Sequence, residues 1–155
     1  YGNLCQRIFS FVKNNCSNTV KRSKNLSIKD KKLINETDKI TKKLRDYMSN
    51  QSLNNYIKSV INISFLTNKY INDEEPWKLK KTNTKKMNNI LHTALEQIAK
   101  ISILLDPIIP LASKKVLDAL NIKSELRNLS FLDGKLLIND KIKIGSLDIL
   151  FKKII

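Results

Sequence analysis

Apolar residues recur along this chain at intervals of three and four in five separate runs, the spacing that lines one side of an α-helix. The first run, from Tyr1 to about Cys16, carries Leu4, Ile8, Phe11 and Val12, with Phe9 beside them. Ser17 to Lys29 is polar, basic and without period, and reads as a loop. Ser27 and Asp30 then resemble a capping box, with Asp in place of the usual Glu, at the start of a second helix. Its stripe is Leu33, Ile40, Leu44, Tyr47 and Met48. After a polar break at Ser49 to Ser52, a third helix is predicted from about Leu53 to Asn72, with Tyr56, Ile57, Val60, Ile61 and Phe65 as its core candidates. Pro76 donates no backbone hydrogen bond and keeps Glu75 out of helical geometry, so the helix stops before it. A short turn opening at Pro76 would hold Trp77 at a corner beside helix ends. Thr82 or Thr84 caps a fourth helix whose stripe, Met87, Leu91, Ala94, Leu95, Ile98, Ile101 and Leu105, is the most regular in the chain. Asp106-Pro107 stops it, and Pro110 opens a fifth that ends near Leu120-Asn121. From Ser130 onward, Asp133-Gly134 and Asn139-Asp140 are turn signals between short apolar pieces, which predicts irregular or marginal strand structure. The predicted fold class is all-α, a bundle of about five helices over residues 1–121 with an irregular tail over 122–155.

Composition changes this picture in two respects. At 155 residues, 41% of them apolar and only three Gly and three Pro, the chain reads as one domain with a real core and neither a disordered segment nor a turn-rich β fold. The formal charge of +15 attracts polyanions, with nucleic acid as the first candidate partner. Abundant Lys, Ile and Asn also follow from an AT-rich coding sequence, so charge alone does not separate RNA binding from a basic soluble surface. Cys5 and Cys16 are too few and too isolated for a metal site or a mutual bridge, and read as two reduced, half-buried thiols. No apolar run reaches the length of a spanning helix and no leader pattern opens the chain, so the expected setting is cytoplasmic, away from membranes. The chain opens inside a helical pattern without Met, as a piece of a longer protein would, and its ending near Ile155 points to a chain that stops there.

Few residues carry candidate chemistry. Asn3 and Arg7, four apart, share a helix face and can approach one ligand together, or form a solvated pair near a helix start. Trp77, the only tryptophan, offers a plane on which something flat can stack. Lys31, Lys32, Lys39, Lys42 and Lys43 lie off the second helix's stripe, as a solvated face or an approach to phosphate. His92 has no second His or Cys nearby and reads as a surface or partly buried side chain, not a ligand or base. No P-loop or clustered metal ligands occur.

Four stretches taken together carry a resemblance. The run from Asn68 through Tyr70, Ile71, Pro76, Trp77 and Leu79 has the pattern N-x-Y-I-x-x-x-x-P-W-x-L-x-K. Gly2-Asn3-Leu4-Cys5-Gln6-Arg7 is similar to L-G-N-L-x-x-R, and Ile103 to Pro110, with Val116, Leu117 and Leu120 beyond it, to L-L-x-P-x-x-P-x-x-A-x-x-I-x-x-x-L. Lys143-Ile144-Gly145 and Leu150 to Ile154 resemble a K-I-G and L-F-P-R-I ending. Lys152 stands in place of that Pro and Lys153 in place of that Arg, which removes the fork a bidentate contact needs. In this order and spacing the blocks resemble the helical anticodon-binding domain of methionyl-tRNA synthetases over nearly the whole chain, residues 1–155.

The resemblance implies that Asn3, Arg7 and Trp77 read the CAU anticodon of methionine tRNA, with Trp77 stacked on its first base. Loop bases are read by aromatic stacking and by hydrogen bonds to their exposed edges, which these three side chains can supply. Lys78, Lys80, Lys81 and Lys85 would hold phosphates and set salt dependence, not sequence preference. The class I ATP signatures of the HIGH and KMSKS kinds are absent, so the fragment is expected to carry no catalytic, cofactor-binding or metal site. ATP, methionine activation and transfer belong to a separate nucleotide-binding catalytic domain, absent from this chain and in intramolecular contact with it. A helical domain of another class I synthetase and a stand-alone RNA-binding or scaffolding module are the alternatives. Preference for a CAU over a GAU loop separates the first, and binding blind to loop sequence favours the second.

Overall fold

The computed structural model describes residues 1–132 and 136–151, with Phe131 as backbone only. Asp133-Gly134, read as a turn, and the ending over Lys152, Lys153 and Ile154 lie outside the described residues. The described residues form helices α1 (Gly2–Asn15), α2 (Ile28–Ser49), α3 (Leu53–Glu74), α4 (Thr84–Leu105) and α5 (Pro110–Ala119). A 3-10 turn, Pro76–Leu79, separates α3 from α4, and two more, Ser124–Leu126 and Leu129–Leu132, follow α5.

Helix α4 is the axis of the fold. Every residue from Asn89 to Leu105 is buried, and the helix touches α1, α2, α3, α5 and the turn after α3. The regular stripe from Met87 to Leu105 is therefore only one side of it, and the remaining faces are covered as well. A helix enclosed on all sides must satisfy its polar side chains internally. Glu96 accepts from the backbone amides of Leu137 and Ile138 at 2.8 and 3.0 Å, and His92 Nε2 donates to the Asn139 carbonyl at 2.8 Å. Lys100 pairs with Asp38 of α2 at 2.8 Å, and Asn89 holds Ser23 and Asn25. The tail, the α1–α2 connection and α2 are thus each fastened to α4 by a polar group.

Several expectations are corrected. Ser17 to Lys29 is not all loop: Ser17 and Asn18 turn through left-handed φ, and Thr19–Lys21 (β1) pairs antiparallel with Lys141–Lys143 (β2), Val20 opposite Ile142. The cap of α4 is Asn83, which accepts from Lys86 N, instead of Thr82 or Thr84. Helix α3 runs on to Glu74, and its buried stripe is Tyr56, Val60, Ile63, Thr67, Tyr70 and Ile71. Phe65, two residues and so about 200° round from Ile63, is exposed, and Ile61 is only half-buried. Met48 is also exposed, at the rim of a groove with Leu44, Tyr56 and Leu104. The Ser27–Asp30 capping box is present, and the Tyr70 hydroxyl donates to the second oxygen of Asp30 at 2.5 Å. Cys5 is fully buried, its thiol pushed up to about 12 by desolvation, while Cys16 is half-buried.

His92 is buried, not at the surface. Burial holds its imidazole below the usual titration range, with the Asn139 carbonyl opposing the effect. The folded state therefore favours the neutral ring. The stability that follows is present above the unfolded value of about 6.5 and is lost as pH falls toward the folded one. Between about pH 7 and about pH 5.5 the urea midpoint of the chain is expected to fall more steeply than that of His92→Gln, followed by circular dichroism. Parallel curves would mean that the ring titrates freely. Taking the difference between the two proteins removes the opposite trend expected from Glu96, whose carboxyl is raised by burial.

Candidate nucleic-acid interface

Trp77 stands on a corner that the backbone reaches through an uncommon conformation. Glu75 closes α3 at φ 44°, left-handed, where glycine is the usual residue. Pro76 then begins the 3-10 turn and is buried beneath it, leaving the indole of Trp77 40% exposed.

Arg7 reaches this corner from α1. Its guanidinium carbon lies 5.0 Å from the centre of the Trp77 ring, within cation–π range, and its Nη2 donates to Asn72 Oδ1 at 2.8 Å. Asn72 is exposed on the last turn of α3. A guanidinium held by a ring face and one amide oxygen keeps further donors in a fixed fork for an incoming ligand. Asn3 sits one turn earlier on the same face of α1, exposed, and its side chain enters no hydrogen bond among the described residues. The structure thus joins Arg7 to Trp77 and sets Asn3 one helical turn away on the same face of α1.

The four lysines assigned to phosphate lie on the turn after α3, the loop beyond it and the first turn of α4. Lys78 pairs with Glu75 at 2.8 Å, and the charge of Lys80 acts on Cys16 at the end of α1. Lys81 and Lys85 are exposed on the approach to α4 and in its first turn. The region remains positive, with Lys78 ion-paired and Lys81 and Lys85 open to solvent.

Sequence reading missed two residues. Asn72 orients Arg7 from 65 positions away, a pairing that no local periodicity signals. Glu74, the last residue of α3, is buried and ion-paired with Lys29 at 2.5 Å and Lys86 at 3.0 Å. Burial opposes its ionisation, yet the two ammonium groups together hold its carboxyl below the usual range. A charge in an acidic and basic stretch looks like any solvated one until its partners are known. Among the described residues no group of three or more His, Cys, Asp or Glu is placed to hold a metal ion, and no helix is long and apolar enough to cross a membrane.

Comparison with known proteins gives this geometry a setting. A family model described as the anticodon binding domain of methionyl tRNA ligase matches residues 20–155. The chain is similar to the methionine–tRNA ligase of Rickettsia felis, 35% identical over 129 residues, covering 81% of this chain and 25% of that protein. The ligase of Sulfurisphaera tokodaii is 28% identical over 155 residues, covering 99% of this chain and 27% of its own. The methionyl-tRNA synthetase of Mycobacterium tuberculosis, solved with methionyl-adenylate bound, superposes with a TM-score of 0.89 at 22% identity, over 97% of this chain and 30% of that one. That last likeness is one of fold. The chain spans about a quarter of the length of the curated relatives it matches.

Proposed function

This chain belongs to the family of anticodon-binding domains of methionyl tRNA ligases, and we propose that it holds the CAU anticodon loop of methionine tRNA for a longer ligase. In that ligase a separate nucleotide-binding domain activates methionine with ATP and joins it to the tRNA, in a cytosolic setting. The observation that carries the reading is the stacked pair of Arg7 and Trp77, tied to α3 through Asn72 and flanked by Asn3. A splayed-out base stacks on the remaining aromatic or guanidinium plane, and the free donors of Arg7 with the amide of Asn3 take base edges. Lys81 and Lys85 act on phosphates and add affinity without sequence preference.

Most of the relatives' length lies outside the matched segment. We place the contact with the nucleotide-binding domain on the exposed apolar surface shared by Leu111 and Phe151, beside Gly2 at the start of α1.

The test is equilibrium binding to short stem-loops bearing CAU or GAU at two salt concentrations, followed through Trp77 fluorescence. We expect a preference for CAU of roughly tenfold or more, the ratio that about 1.4 kcal/mol of base-edge bonding produces, together with quenching of Trp77. Equal binding that disappears at high salt would reduce the chain to a basic bundle.

A further inference from the structure

The three charges joined at Glu74 are misplaced on their own helices. An anion at the C-terminal end of α3 and cations in the first turns of α2 and α4 each oppose the local helix dipole. Across the helices all three are well placed. The carboxylate meets the N-termini of α2 and α4, and the ammonium groups meet the C-terminus of α3. The cluster gains only from contacts between elements. Stability alone does not ask for it, because ion pairs whose ammonium groups stand in solvent, as those of Lys29 and Lys86 do, contribute little.

Its position gives it a second consequence. Glu74 is the residue before the 75–83 connection, and Lys86 lies just beyond the connection's far end. The 3.0 Å pair therefore closes the base of the segment that presents Trp77. That segment starts with left-handed Glu75, a strained conformation that persists only where its surroundings hold it. The Lys29 arm ties α3 to α2, as the Tyr70–Asp30 hydrogen bond already does one turn earlier. Only the Lys86 arm spans the connection.

We propose that Glu74 is a positioning residue for Trp77: bridged to Lys86 and Lys29, it fastens both ends of the segment carrying the indole and so sets how well the site discriminates between bases. The second half of this statement rests on the anticodon reading, and the first half does not.

Trp77 is the only tryptophan, so its fluorescence reports on this turn alone. In Glu74→Gln, acrylamide quenching of Trp77 is expected to rise about twofold as the turn loosens, with helix content unchanged. The CAU to GAU affinity ratio is expected to fall about tenfold, since small misplacements of a positioned group carry losses of that order. The ratio is the readout because the lost negative charge raises binding to every loop. Lys86→Met should reproduce both effects and Lys29→Met only weakly, while Tyr70→Phe lowers the unfolding midpoint and leaves quenching unchanged. If Glu74→Gln does not fold, Lys86→Met carries the test. Quenching equal to that of the unaltered chain overturns the proposal, as does a loosened Trp77 with the CAU preference intact. A loosened Trp77 in a chain that never preferred CAU keeps the clamp and sinks the anticodon reading instead.

Discussion

Replacing Trp77 by alanine is expected to lower affinity for a CAU stem-loop by about fivefold to about 150-fold, the range that a stacking contact of about 1–3 kcal/mol spans. The loss should fall on discrimination. Binding that remains comes from lysines and phosphates, is nearly blind to loop sequence and weakens steeply with salt. The fold should survive, because the indole is 40% exposed and stands on a four-residue turn outside the helices, with buried Pro76 anchoring that turn. Arg7 would lose its ring face and keep its bond to Asn72, so the guanidinium is weakened in place and not released. Titrations of the two stem-loops, with far-UV circular dichroism as the control, decide the matter. Unaltered discrimination in Trp77→Ala would make the indole a packing residue.

Glu96→Ala should produce the largest loss of stability. The carboxylate accepts from two buried amides, Leu137 and Ile138, that have no water to turn to. Each orphaned amide costs about 1–3 kcal/mol, and removing a buried carboxylate relieves part of that sum, for a net loss on the order of 2–4 kcal/mol. The deficit should depend on pH in a definite direction. Burial raises the Glu96 carboxyl above its ordinary value, with the Leu137 amide and the Lys100 charge pulling it back. The folded state therefore prefers the protonated acid. Its contribution is full below the unfolded value of about 4.3 and is lost as pH rises through the folded one. The gap between the two proteins should accordingly be wider in mild acid than at neutrality. Urea unfolding measures it, and amide exchange at Leu137 and Ile138 locates it. A loss under about 0.5 kcal/mol with both amides still protected would mean that apolar contacts alone hold the tail.

What could be read in advance divides along sequence separation. The five helices, the stop at Pro76 and the exposed corner at Trp77 follow from spacing and from single residues with fixed geometry, Pro above all. Asn3 and Arg7 were placed on one helix face by their separation alone. Contacts made across the fold were not legible. Asn72 and Glu74 look like ordinary polar residues near a helix end, and their partners are 65 positions away for Arg7 and at the starts of two other helices for the lysines. Phe65 misled because aromatic character outweighed phase: the buried stripe of α3 passes through Ile63 and Thr67 and leaves Phe65 facing outward. On α4 an amphipathic reading was too narrow, since polar residues from Asn89 onward are buried too, and Asn89, His92, Glu96, Lys100 and Ser102 each find a partner inside the fold.

The pairing of Thr19–Lys21 with Lys141–Lys143 also has a kinetic side. It closes a loop of roughly 120 residues, and three ladder positions return little against the chain entropy of so long a closure. On a ribosome the first strand waits, its edge open, until the chain through Lys143 has emerged. The ladder is thus expected to be the last part of the fold to assemble and the first to open. Until it closes, the sheet edge at Val20 and the acceptors of Glu96 are the places where a nascent chain of this protein can pair with the wrong strand.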